Sequence, residues 1–128
     1  MKLSQNLKLA IDASLLAGKK ILEIYTSDNF IVEYKSDESP LTLADKSSDE
    51  IIKNALKVSN IPILSEEGNV LDYNKRQNLE KLWIVDPLDG TKEFIKKNDE
   101  FTVNIALIEN KRPTLGVIYA PALKVLYF

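Results

Sequence analysis

Small and apolar side chains recur at three- and four-residue spacing through Leu7, Ala10, Ile11, Ser14, Gly18, Ile21, Leu22 and Tyr25. That spacing predicts one long helix with a single inward stripe, and Ser4 as its N-cap. Residues 30–34 (FIVEY) form a short strand candidate, followed by a polar loop over 35–40 whose Pro40 discourages helix in the residue before it. Thr42 to Asp45 then has the form of a capping box. A second helix starts there, with Ala44, Ser48, Ile51, Ile52, Ala55 and Val58 on one face and Asp45 in the first turn.

After Asn60 the helical period gives way to short apolar runs, each ended by acidic residues or turn formers. Residues 61–64 precede Ser65-Glu66-Glu67-Gly68, and residues 82–85 precede Asp86-Pro87-Leu88-Asp89-Gly90. Both runs read as buried strands. The polar stretch 70–81 reads as a surface loop, and residues 91–97 as a short helix. Phe101, Val103, Ile105 and Leu107 alternate with Thr102, Asn104 and Ala106, and the run 113–119 follows at hairpin spacing after Glu109-Asn110-Lys111-Arg112. A further strand begins at Leu123 and runs to Phe128. Two N-terminal helices followed by hairpin-connected strands predict an α+β fold, with the helices packed on a largely antiparallel sheet and residues 1–128 as a single domain.

Composition narrows the chemistry. At 128 residues, 45% hydrophobic and 28% charged, the chain is long enough to bury a core. Seventeen basic residues nearly balance nineteen acidic ones without a basic cluster, so a nucleic acid polymer is not an expected partner. Residues 1–10 lack the continuous apolar core of a signal peptide, and no run is long enough to span a bilayer. A cytoplasmic location is therefore the expectation. Cysteine and histidine are both absent, which leaves carboxylates, hydroxyls, lysines and hard, oxygen-seeking cations such as magnesium, manganese or calcium.

The most informative stretch is residues 83–94, WIVDPLDGTKEF. With Asp86 at the end of a strand, a tight turn through Pro87 and Gly90 would bring Asp89 back to the same side. Gly90 allows close backbone approach, and a helix starting at Thr91 would favour a phosphate outside the two carboxylates. Phosphate and carboxylates together need divalent cations between them, which is the logic of a metal-dependent phosphatase. The same dipeptides also make ordinary solvated turns, and DxxDG faintly resembles a GTPase loop. No GxxxxGK[ST] accompanies it. Glu66 could be delivered beside Asp86 by the neighbouring strand, while Asp45 has an adequate role at its helix dipole. Lys35, Lys92 and Glu93 read as surface charges, Trp83 and Phe94 as core.

Three segments in order carry a family resemblance. Residues 86–91 (DPLDGT) resemble the DP[IL]DGT signature of the lithium-sensitive, magnesium-dependent phosphomonoesterases that include inositol monophosphatase. Residues 39–45 (SPLTLAD) are similar to the SPVTxAD segment of that family, and residues 64–67 (LSEE) to its [LI][SG]EE segment. The continuation through residues 91–96, 100–108 and 115–121 resembles the bacterial bisphosphate nucleotidase branch, where inositol monophosphatases carry TxNF in place of Thr91-Lys92-Glu93-Phe94.

The resemblance implies roles. Glu66, Asp86 and the Leu88 carbonyl would hold one magnesium, and Asp86 and Asp89 would share in a second, of two or three in the complete site. Thr91, bonded to Asp45, would orient and help deprotonate the attacking water. Glu66, Leu88, Asp89, Gly90 and Thr91 would contact the substrate, with the Gly90 and Thr91 backbone on the phosphate. The implied reaction is hydrolysis of 3'-phosphoadenosine 5'-phosphate to AMP and phosphate, in the context of sulfate assimilation, and the resemblance extends the expected location to a peripheral association with the inner membrane. Family members continue for about another domain's length, with one more metal-ligating aspartate in a WDxAAG-like segment and most nucleotide contacts. The expectation is thus an N-terminal part with weak or no activity of its own. Alternatives are a non-catalytic metal- or phosphate-binding remnant that associates with itself, through the exposed strand ending at Phe128, or with a separate C-terminal half, and an inositol monophosphatase.

Overall fold

In the computed structural model, residues 4–27, 32–34, 40–68 and 78–128 are described, with backbone only for 32–34, 40 and 41. The expected loop over 35–40 therefore lies largely outside the described residues, as do residues 30 and 31 of the first strand candidate and most of the 70–81 stretch. Helix α1 spans Gln5–Tyr25, and Ser4 accepts a hydrogen bond from the Leu7 N–H at 3.1 Å. Strands β1 (Val32–Tyr34) and β2 (Pro40–Thr42) form a small antiparallel ribbon. Helix α2 spans Leu43–Leu56 and is opened by the reciprocal Thr42–Asp45 capping box.

The main sheet has the order β3-β4-β5-β6-β7, from Ile63–Ser65, Lys81–Asp89, Thr102–Glu109, Arg112–Ala120 and Val125–Tyr127. Only β3 and β4 run parallel; the other pairs are antiparallel. A short helix, α3 (Thr91–Ile95), links β4 to β5. The β5–β6 hairpin closes on Asn110 and Lys111, at φ 50° and 67°, the two left-handed positions that match the twist of the strands.

Alternation sorts the sheet into two faces. Trp83, Val85, Val103, Ile105, Leu107 and Val117 point toward α1 and α2 and are buried. Ile84 and Ile118 lie on the opposite face, 42% and 47% exposed. Trp83 also donates its indole N–H to the Ser59 hydroxyl at 3.0 Å, so the largest core side chain has no unmet polar atom. Phe94, Phe101 and Tyr25 stack with ring centroids 4.8–5.3 Å apart and pin α3 to the end of α1.

The helix faces differ from expectation in detail. On α1 the buried set is Ala10, Ala13, Ser14, Ala17, Gly18, Ile21 and Ile24, so small residues, not Leu22, line the contact. Leu56 is fully buried, whereas Val58 is 74% exposed, because a 3-10 turn over Lys57–Ser59 rotates it outward. The last strand is shorter than predicted, since residues 121–124 form a turn; Leu123, Tyr127 and Phe128 are exposed.

Two glycines separate space from conformation in this packing. A Cβ on Gly18 would stand 2.2 Å from Cε2 of Tyr119, whereas one on Gly116 would meet nothing within 4 Å. Gly18→Ala should therefore destabilise the fold by about 1–3 kcal/mol through overpacking. Gly116→Ala should be neutral or stabilising by about 0.5 kcal/mol, because the strand loses less chain entropy. Urea melts of the two variants check this; equal effects would mean that the α1–Tyr119 contact is not a tight one.

Candidate active site

The segment expected to be a tight turn is a continuation of strand β4, which runs without a break through Asp86 to Asp89. Its irregularity is a bulge. Asp86 pairs with Asn104 and Asp89 with Thr102, so three residue steps on β4 stand opposite two on β5. In a regular strand, positions three apart face opposite ways. The extra residue changes that parity and puts Asp86 and Asp89 on one face, the face that also carries Thr102 and Asn104. Pro87, which has no N–H to donate, sits within the irregular stretch. The outcome expected of a turn is reached by a different element.

Helix α2 grips this stretch at two points. Ser48, fully buried, donates its hydroxyl to the Pro87 carbonyl at 2.6 Å. Asp45, also fully buried, accepts the Thr91 hydroxyl on Oδ1 at 2.7 Å, and the Thr42 N–H and hydroxyl on Oδ2 at 2.9 and 2.5 Å. Three donors on a buried carboxylate satisfy most of its acceptor capacity and fix the direction of the Thr91 oxygen. The Leu88 side chain is buried in the core, while its carbonyl oxygen lies 3.5 Å from the Thr91 hydroxyl. Gly90, at φ 95°, turns the chain from β4 into α3. A Cβ there would come 2.7 Å from the Glu100 carbonyl, so both conformation and space require glycine.

Glu66 arrives from the other side. Ser65 pairs with Val85 in the parallel β3–β4 ladder, and the Glu66 N–H continues it to the Val85 carbonyl at 3.2 Å, which sets Glu66 beside Asp86. The Ser65 hydroxyl bonds to Asp49, whose other oxygen pairs with Lys53 at 2.8 Å, and Ser65 Oγ accepts the Glu67 N–H at 3.3 Å. The Glu66-Glu67 turn is thereby fixed to α2.

Asp86 is the electrostatic centre. Burial, then the Glu66 and Asp89 carboxylates, push its pKa from the ordinary 3.8 up to about 7. Its Oδ1 is buried with no hydrogen-bond partner. Among the described residues no lysine or arginine pairs with Glu66, Asp86 or Asp89, and no three acidic side chains converge on one point that would hold an ion as they stand. The donor set nonetheless fits a hard divalent cation: carboxylate oxygens, the Leu88 carbonyl with only a long contact to Thr91, and a buried Asp86 oxygen without a hydrogen bond.

All seven sequence-predicted positions, Asp45, Glu66, Asp86, Leu88, Asp89, Gly90 and Thr91, thus fall along one line from α2 across the ends of β3 and β4. Lys92 is exposed, and Trp83 and Phe94 are core, as expected. Lys35 lies outside the described residues. Sequence reasoning missed Ser48, Asp49 and Asn104. The signals available were a small polar residue one turn after Asp45 on the buried helix face, and a polar pair, Thr102 and Asn104, at alternate positions of an otherwise apolar strand.

Comparison with known proteins agrees with this fold. The model of the inositol monophosphatase family matches residues 2–128. The 3'(2'),5'-bisphosphate nucleotidase CysQ of Salmonella typhimurium is 50% identical over 116 residues, covering 88% of this chain and 46% of that protein. The CysQ nucleotidase of Buchnera aphidicola is 52% identical over 114 residues, covering 87% and 43%. The crystal structure of CysQ from Bacteroides thetaiotaomicron, a bacterial member of the inositol monophosphatase family, superposes with a TM-score of 0.83 at 54% identity, over 96% of this chain and 45% of that one. The chain therefore spans less than half the length of the curated relatives it matches.

The raised Asp86 pKa has a definite sign for stability. Between about pH 4 and 7 the folded chain holds a proton on Asp86 that the unfolded chain has lost. The stabilisation is complete below the ordinary value and disappears as pH rises through about 7. With divalent cations chelated, the melting temperature of the wild type should fall across that window relative to Asp86→Asn, which should be the more stable protein at pH 8. Melts at a series of pH values check the difference, and a constant gap between the two proteins would contradict it.

Proposed function

The chain belongs to the inositol monophosphatase family, and we propose that residues 1–128 form the metal- and phosphate-binding domain of a magnesium-dependent 3'(2'),5'-bisphosphate nucleotidase. The observation that carries the reading is the hydrogen bond from Thr91 to buried Asp45, made two residues beyond Asp89 on the stretch that brings Asp86 and Asp89 to one cavity. Identity of 50–52% with proteins named as bisphosphate nucleotidases supports that substrate class over an inositol phosphate. The Lys92-Glu93 pair in place of TxNF supports the same choice. The substrate is then 3'-phosphoadenosine 5'-phosphate, and the products are AMP and phosphate.

In this reading Glu66, Asp86, Asp89 and the Leu88 carbonyl would hold the divalent cations, which supply positive charge for the phosphoryl and leaving oxygens. The remaining work belongs to the chain. Thr91 gives its proton to Asp45 in a hydrogen bond, so its oxygen lone pairs are free to accept one from the attacking water. Asp45, held by the Thr42 N–H and hydroxyl, cannot swing away from Thr91. The N–H groups at Gly90 and Thr91 are the donors for the phosphate.

The family resemblance implies nucleotide contacts and a further metal-ligating aspartate in the part of the family fold that residues 1–128 do not match. The cytoplasm is the expected location. No helix among the described residues is long and apolar enough to cross a membrane. A second reading, a binding remnant that associates with itself or with a separate C-terminal half, draws support from the open sheet face, where Ile84 and Ile118 are exposed.

Purified chain should release phosphate from 3'-phosphoadenosine 5'-phosphate when magnesium is present, faster than from inositol 1-phosphate, and lithium should inhibit it. Thr91→Ala should lower the rate about 100-fold while leaving cation binding intact; Asp86→Ala should abolish both. Release that survives Asp86→Ala, or that favours the inositol ester, would overturn the assignment. Cation binding without any release would favour the remnant reading.

A further inference from the structure

Asn104 stands directly across the β4–β5 ladder from Asp86, on the open face of the sheet. It lines the same cavity as Asp86, Asp89 and Thr102. Its amide Nδ2 donates to Asp89 Oδ2 at 3.3 Å, and its Oδ1 accepts the Thr102 hydroxyl at 3.3 Å. An ionised carboxylate only accepts hydrogen bonds, so the amide must turn its NH2 end toward Asp89. The Thr102 hydroxyl then stabilises that orientation from behind. The result is a relay from Thr102 through Asn104 to one oxygen of Asp89.

We propose that Asn104 is a positioning residue for Asp89, holding Oδ2 so that Oδ1 is presented on the Asp86 side for a divalent cation. The inference rests on the metal-binding reading above and deepens it. Three features favour a neutral amide in this place. A lysine or arginine would neutralise Asp89 and compete with the cation, and among the described residues no such ion pair is made. A carboxylate would add to the repulsion already acting on Asp86. An amide donates one hydrogen bond, fixes the rotamer and leaves the charge of the site unchanged. The bulge makes the contact possible, because it brings Asp89 to the face on which Asn104 lies.

The test is Mn2+ binding to the intact chain, read by electron paramagnetic resonance, a measurement that does not depend on turnover. Asn104→Ala should bind Mn2+ about 10-fold more weakly, in the range typical of outer partners of metal ligands. The cation-free melt should move by less than about 4 °C. Thr102→Val, which removes only the rear support, should weaken binding by a smaller factor; it also decides the case if Asn104→Ala melts early. Wild-type affinity in both variants would overturn the positioning role and leave the metal-binding reading standing. Wild-type chain that binds no more Mn2+ than Asp86→Ala would overturn both.

Discussion

Between Asp86 and Asp89 the chain carries one more residue than its partner strand needs, and the geometry of the site follows from that insertion. A regular β4 would send Asp86 and Asp89 to opposite faces, one toward solvent and one into a core lined by Val85, Val103 and Leu107. With the bulge, both carboxylates share the open face, and the Pro87 carbonyl is turned to where Ser48 can meet it. The backbone is then delivered to Gly90, whose left-handed conformation starts α3 and puts Thr91 against Asp45. A buried carboxylate left without those donors would cost several kcal/mol in desolvation. The bulge and the α2 anchors therefore require each other.

Electrostatics on the open face run against stability. Glu66 and Asp89 both oppose ionisation of Asp86, and its Oδ1 has no donor. Arrangements of this kind are characteristic of functional sites, where local strain is offset by packing elsewhere. Here the offset is close by: Trp83 and Val85, alternating with Ile84 and Asp86 on the same strand, are buried against α1 and α2. The aromatic cluster of Tyr25, Phe94 and Phe101 does the same for α3, and the Tyr25 hydroxyl donates to Asp99 at 2.6 Å to close the loop behind it.

Much of this was legible in the sequence because it rests on short-range rules. The capping box at Thr42 and Asp45, the Ser4 cap and the alternation of β5 depend on neighbours within a few positions, and each is present as read; the β5–β6 hairpin is present too, with Glu109 and Arg112 paired in its strands so that only Asn110 and Lys111 turn. The DPLDGT stretch carried a family resemblance that the match over residues 2–128 shows, but its backbone is a strand and not the expected turn. Asp-Pro and Asp-Gly favour turns locally, but pairing with β5 on one side and anchoring by Ser48 on the other keep the chain extended to Asp89. Ser48 and Asn104 were invisible for a related reason: their partners lie 39 and 15 residues away, and no periodicity encodes a single long-range hydrogen bond. The exposure of Val58 reflects the same limit, since the helical period continued past the point where the 3-10 turn ended it.

The two faces of the sheet divide stability from chemistry at single-residue resolution. Along β4, Trp83 and Val85 hold the helices, while Ile84 and Asp86 face the other way with Asn104 and Ile118. A one-residue slip would exchange these roles and bury Asp86 in the core, so the apolar pattern that specifies register also protects the placement of the site. The helix side has its core complete, from Ala10 on α1 to Val117 on β6. On the open side, apolar positions remain exposed next to carboxylates that make no ion pair among the described residues. Substitutions on the helix side should therefore act on folding and reach the site only through α2. Those on the open side should leave the helix-side core intact, and at Asp86 they should also relieve the repulsion that Glu66 and Asp89 exert there. This separability is what allows the charge on Asp86 and Asp89 to be tested without unfolding the strand that carries them.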